Sequence, residues 1–161
     1  MLILARRFLL TQALLLWQGG FLFYSAVVVP IGTDVLGSGA AQGVITRRVT
    51  DWLNAAGLVY LVLLAWDVAA TRDPAGRRVA ARWWLWIGSA ALLYLLWYFH
   101  LLLDFFMDPG GQSVQMRRPF LFVHGLYLWT STLHWLFGLA LAWLTLAAWR
   151  AADRDPGGRP A

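Results

Sequence analysis

The chain contains no cysteine, no lysine and no glutamate, and charged residues make up only 13% of its 161 residues. Without cysteine there can be no disulfide, no thiolate metal site, no cysteine nucleophile and no Cys-x-x-Cys-His attachment of haem. Soluble domains carry roughly 25% charged residues, more than the 13% found here, and 60% of this chain is hydrophobic. Such a composition indicates a membrane protein, and the length leaves room for a single domain.

Four apolar stretches are each long enough to cross a bilayer core, which requires roughly 20 residues in a helix. They cover residues 8–30, 52–70, 83–107 and 119–149. Because the connections after the second and third stretches are short, we expect consecutive helices to run antiparallel. The sequence therefore predicts an all-α integral membrane four-helix bundle with up-down topology and both termini on the same side. This single membrane domain, residues 1–161, would have a long outer loop at 31–51 and a mobile tail at 150–161.

The arginines predict an orientation. Nine lie at the two ends of the chain and between the second and third stretches: Arg6, Arg7, Arg72, Arg77, Arg78, Arg82, Arg150, Arg154 and Arg159. The other side has four: Arg47, Arg48, Arg117 and Arg118. Because arginine concentrates on the cytoplasmic side of membrane helices, both termini should be cytoplasmic, in a bacterial cytoplasmic membrane. These flanks account for the net charge of +5, so we expect no nucleic-acid partner.

The fourth stretch carries polar residues that share one helical face. With about 100° between successive residues, they fall within an arc of about 80°. They are His124, Tyr127, Ser131, His134 and Thr145. Lipid cannot satisfy such groups, so this polar stripe should face the other helices, as should Gln18 near the middle of the first stretch.

Three residues form a candidate metal or haem site near the outer face. His100 and Asp104 are four residues apart, hence on the same face of the third helix. His124 enters the fourth helix at a matching depth from the same side. Paired imidazoles could ligate the iron of haem b, or a copper or zinc ion with Asp104 as a third ligand. Hydrogen bonds between helices that fix their register would be a purely structural alternative.

Two further functions fit the same residues. The polar stripe with Gln18 could relay protons or conduct a small solute. Alternatively, the chain could be a scaffold or assembly subunit that contacts other membrane proteins as well as the lipid bilayer. An enzyme is not favoured, and we predict no catalytic residue, because Ser131 and His134 lie inside a helix without oxyanion donors nearby. Gly19 and Gly20 remove two side chains and would allow a helix or a flat ligand to approach closely.

Two segments carry a resemblance to known proteins. "WQGGFLFYSAVVVP" (17–30) and "QGVITRRVTDWLN" (42–54) resemble a group of small four-helix bacterial membrane proteins of unknown function, distant relatives of the copper-resistance D membrane proteins. The resemblance covers roughly the first 70 residues, and it implies a four-helix bundle and a role in handling copper.

Overall fold

The computed structural model describes residues 1–107 and 113–154, except the side chain of Ala40, and it is entirely helical apart from short connections. Four helices are long and apolar enough to cross a membrane. We name them α1 (Leu2–Leu36), α2 (Gly39–Ala70), α3 (Gly76–Phe105) and α4 (Arg117–Arg154). The predicted tail beyond residue 154 and residues 108–112 of the third connection lie outside the described residues.

Each helix is longer than its apolar stretch, and the predicted loop at 31–51 is helical except around Gly37. The sequence suggested an end at Pro30, whose ring clashes with the carbonyl four residues earlier in an ordinary α-helix. That carbonyl belongs to Ala26, inside a π-helical stretch at Tyr24–Val28, where the hydrogen-bond spacing is already altered. Helix α1 therefore continues to Leu36 and ends at Gly37, whose φ of 64° is left-handed.

Helix α1 contains a second π-helical stretch, Leu15–Gly19. Between residues 15 and 36 of α1, the buried side chains are Trp17, Gln18 and Tyr24, and all three lie in the two π-helical stretches. Such insertions are rare and occur frequently at functional sites. In this part of α1, the two π-helical stretches therefore carry the side chains that face the other helices.

The helices approach closely at glycines other than the predicted pair. A Cβ atom at Gly138 would overlap Gln18 and the Trp17 ring, and one at Gly88 would lie 2.7 Å from the Phe137 ring. By contrast, a Cβ at Gly19 would meet no atom within 4 Å, and one at Gly20 would make an ordinary contact of 3.5 Å with Leu53. Neither Gly19 nor Gly20 therefore lies at a close helix contact.

A buried ionic cluster joins all four helices at the end of the bundle where α1 begins. Asp67 of α2 accepts hydrogen bonds from Arg6 Nε of α1 at 2.9 Å, from Arg82 Nη2 of α3 at 2.7 Å and from Trp149 Nε1 of α4 at 3.0 Å. Arg82 also donates to Thr145 Oγ1 at 3.2 Å. Arg82 was predicted to lie in the connection between the second and third apolar stretches; instead it lies within α3 and is fully buried.

The connection between α2 and α3 is held by Asp73. Its carboxylate accepts a hydrogen bond from the Ala75 amide at 2.9 Å and one from Arg78 Nε at 2.6 Å. Partial burial alone would raise the pKa of Asp73, but the hydrogen bonds from Arg78 and Ala75 outweigh it and hold the pKa below its ordinary value. The charged form of Asp73 therefore stabilises the start of α3.

Candidate ligand-binding cavity

A cavity of about 520 Å³ lies between the four helices in the half of the bundle that contains the N-terminal part of α2. Its lining side chains come from parts of all four helices, within residues 17–33 of α1, 39–54 of α2, 96–107 at and just beyond the end of α3, and 120–135 of α4. Small-molecule sites in proteins typically enclose about 300–1,000 Å³. The volume therefore suits a ligand considerably larger than a water molecule or an ion.

Most of the predicted polar residues line this one cavity. They are His100, Asp104, His124, Tyr127, Ser131 and His134. Helix α4 buries Ser131, His134 and Thr145, whereas Trp129 and Leu133 on the opposite side are exposed. The face predicted to turn towards the other helices is thus the buried one. Thr145 lies farther along, against Arg82.

Gln18 is buried but is not among the side chains that line the cavity. Its Nε2 donates to the Trp135 carbonyl at 2.9 Å, and Trp135 Nε1 lies 3.4 Å from the Gln18 carbonyl oxygen. This reciprocal pair fastens α1 to α4. Gln18 therefore holds the Trp135 backbone beside the cavity.

The candidate metal ligands have other partners in this arrangement. His100 Nε2 lies 3.0 Å from Asp51 Oδ1 and 4.0 Å from Asp104 Oδ2. Asp104 Oδ1 lies 2.7 Å from Arg47 Nε. The His124 ring stacks on Phe120, with the ring planes 8° apart. Within residues 1–107 and 113–154, no three His, Asp or Glu side chains form a group that could hold a metal ion.

Two polar atoms at the deep end of the cavity have no partner among the described residues. They are Asn54 Nδ2 and His134 Nε2, and their residues are only 4% and 2% exposed. Both residues line the cavity, as do Thr50 and Tyr127. Buried polar atoms in native proteins are nearly always hydrogen-bonded, to protein, water or ligand. These two atoms therefore mark a position for a polar group of a bound molecule.

A second polar wall is already satisfied internally. Gln42 Nε2 donates to Tyr24 Oη at 3.2 Å, Tyr24 Oη donates to Thr46 Oγ1 at 3.0 Å, and Thr46 Oγ1 donates to the Gln42 carbonyl at 3.0 Å. Sequence reasoning missed this wall because residues 31–51 were expected to form a loop. On a helix, the spacing of Gln42, Thr46 and Thr50 at four-residue intervals would have predicted a shared polar face.

Aromatic rings close the cavity towards the ionic cluster. The Trp17 ring stacks on Tyr60 with centroids 5.2 Å apart and contacts the His134 ring at 4.5 Å. Beyond them, Leu64 and Leu141 are almost completely buried. The cavity thus ends on a packed apolar layer.

Comparisons of this chain with protein-family models, with curated proteins and with solved structures find no match. The resemblance to copper-resistance D membrane proteins therefore stays a prediction.

Proposed function

We propose that this protein is an integral membrane protein that binds a small amphipathic molecule inside its helical bundle. The observation that carries the proposal is the cavity of about 520 Å³ with two unpaired polar atoms at its deep end, Asn54 Nδ2 and His134 Nε2. A largely apolar lining with a few convergent polar groups is typical of small-molecule sites. A bound ligand would supply the missing hydrogen bonds.

The packing below the cavity supports binding over conduction. A proton or solute path along α4 would have to continue past His134 towards Thr145. The space beyond His134 is filled by three side chains that are each at least nine-tenths buried: Trp17, Tyr60 and Leu141. Because the cavity is closed at this end, a bound molecule would enter and leave by the same opening.

A cavity-filling substitution tests this proposal. Gly43 lines the cavity, and a Cβ there would meet no atom within 4 Å, so Gly43→Phe should fill the space without disturbing the helix. Gly19→Phe is the matched control, because Gly19 is exposed and its Cβ position is equally open. We expect mass spectrometry of purified protein to find the same organic molecule with the unsubstituted chain and Gly19→Phe, but not with Gly43→Phe. Equal amounts from both variants, or none from any, would overturn the proposal.

Haem is a second candidate ligand, favoured by one observation. All three histidines of the chain line this single cavity. Haem iron takes one or two axial imidazoles and no further protein ligand, so it needs no group of three metal-binding side chains. On this candidate, His100 and His124 would be the axial ligands. A Soret band that disappears in His100→Ala and in His124→Ala would support it, and colourless protein without iron or copper would exclude it.

The proposed setting is the bacterial cytoplasmic membrane, with antiparallel helices and both termini in the cytoplasm. The excess of arginine at the chain ends and around the second connection supports this orientation. The cavity then lies in the outer half of the membrane. The test is a fusion, after Arg154, of a reporter enzyme that works only outside the cytoplasm. Activity of this fusion would contradict the proposed orientation.

A further inference from the structure

The unpaired atoms of the cavity restrict the chemistry of its ligand. Asn54 Nδ2 is a donor only, so its partner must be an acceptor oxygen or nitrogen. His134 Nε2 can donate or accept, depending on the tautomer. Asn54 and His134 line the same cavity, and Tyr127, Ser131 and His134 follow one another on a single face of α4. Both unpaired atoms therefore lie in the same region, where a carbonyl oxygen would satisfy the donor.

The charges at the cavity favour an uncharged ligand. Arg47 Nε lies 2.7 Å from Asp104 Oδ1, and His100 Nε2 lies 3.0 Å from Asp51 Oδ1, so these polar groups of the rim already have partners within the protein. At the deep end the partnerless atoms belong to an amide and an imidazole. Taking an unpaired charge out of water into such surroundings is strongly unfavourable. A carboxylate or phosphate ligand would find no free cation among the described residues that line the cavity.

The walls favour a flat ring with a hydrocarbon tail. Trp17 and Trp135 both line the cavity, and each is held in place, Trp17 by stacking on Tyr60 and Trp135 by its pairing with Gln18. Aromatic faces bind planar rings in stacked or tilted arrangements. Much of the remaining lining is apolar: Phe21, Leu53, Leu96, Leu103 and Leu128.

From these three features we infer that the cavity binds a membrane quinone: an uncharged, planar ring with carbonyl oxygens and an apolar tail. This inference rests on the proposed ligand-binding function. One ring carbonyl accepts a hydrogen bond from Asn54 Nδ2, His134 Nε2–H donates to the same headgroup, and the tail lies along the leucines. The inference concerns binding alone.

The test compares two probes on the purified full-length protein in detergent micelles. One probe is a benzoquinone with a decyl chain, and the other is decylbenzene, which has the same tail but no carbonyl. Binding is followed by saturable quenching of tryptophan fluorescence for the quinone, and by competition for decylbenzene. We expect the quinone to bind the unsubstituted protein about tenfold or more tighter than decylbenzene, as loss of paired buried hydrogen bonds implies.

Substitutions of Asn54 and His134 test the two hydrogen bonds that we propose to the quinone. Asn54→Leu and His134→Phe should each weaken quinone binding about three- to tenfold, the effect of one lost hydrogen bond, while decylbenzene binding is kept. Retained decylbenzene binding also shows that the cavity is intact in each variant. Thr132→Val is the matched control, because Thr132 is exposed on α4 and bonds to its own helix. It should leave both affinities unchanged.

The possible outcomes separate this inference from the proposed function. If decylbenzene binds as tightly as the quinone, or if the variants do not distinguish the two probes, the cavity takes lipophilic molecules and the quinone inference is wrong. If neither probe binds saturably, the quinone inference is also wrong. The proposed function is then decided by the molecules that copurify with the unsubstituted chain and with Gly43→Phe.

Discussion

Arg82 Nη2 lies 2.7 Å from Asp67 Oδ2, and neither side chain is exposed at all. Arg6 and Trp149 donate to the same carboxylate, so one buried anion connects all four helices. A buried ion pair adds little net stability compared with well-packed apolar side chains, but removing one partner leaves an uncompensated buried charge. The cluster therefore fixes how the helices are arranged, and it is sensitive to any loss of the Asp67 charge.

Replacing Asp67 should destabilise the bundle much more than replacing an exposed aspartate. We expect Asp67→Asn to lower the free energy of unfolding by about 3–5 kcal/mol, because Arg6 and Arg82 lose their counter-charge. Asp153→Asn is the matched control. It breaks the exposed pair with Arg7, and it should change the free energy of unfolding far less than Asp67→Asn does, because water screens an exposed ion pair. Denaturant titration in detergent measures both, and equal losses would contradict the role given to the buried cluster.

The two classes of glycine should respond oppositely to added side chains. Gly138→Ala introduces a methyl group against Gln18 and the Trp17 ring, and overpacking of this kind destabilises by about 1–3 kcal/mol. Gly19→Ala introduces the same group into open space, and replacing a helical glycine there should stabilise by about 0.5–1 kcal/mol. Thermal unfolding of the two variants gives the comparison. A Gly19→Ala variant that is the less stable of the two would show that the packing of α1 against α4 is described incorrectly.

The Asp73 carboxylate should make part of the stability depend on pH. Its pKa is lowered in the folded protein, so its contribution is present above the unfolded value of about 3.9 and is lost as the pH falls through the folded pKa. We expect Asp73→Asn to lower the unfolding temperature near neutral pH, and the difference from the unsubstituted protein to shrink as the pH falls through the lowered pKa of Asp73. A difference that stays constant over this range would mean that the Asp73 charge is not what stabilises the start of α3.

The apolar pattern of the sequence was sufficient to predict four helices long and apolar enough to cross a membrane, because about 20 consecutive apolar residues have few alternatives to a long helix. The same pattern ended the first helix too early. It took Pro30 as the end of the first helix, although the π-helical stretch before Pro30 accommodates the ring. Gly37, with its left-handed backbone, is the residue that ends α1.

The candidate site was predicted in part. Helical periodicity identified the buried face of α4, including Ser131 and His134, because residues three and four apart share a face. The positions of His100 and His124 along their helices predicted a matching depth, and both residues line the cavity. Depth alone does not predict that Asp51 pairs with His100, or that Arg47 pairs with Asp104. Asp51 and Arg47 were expected to lie in the connection at residues 31–51. Pairing between helices also depends on how each helix is rotated about its own axis, which periodicity does not determine.

If the cavity binds a ligand, the space beside Gly43 must be accessible to small molecules, and cysteine labelling can measure that access. The chain has no cysteine of its own, so Gly43→Cys and Gly19→Cys each provide a single thiol. Thiols react as thiolates, which form where water reaches them and not against lipid. We predict that a small water-soluble thiol reagent modifies Gly43→Cys in the membrane much faster than Gly19→Cys. Equally slow modification of both would contradict the account, because it would mean that the cavity is closed.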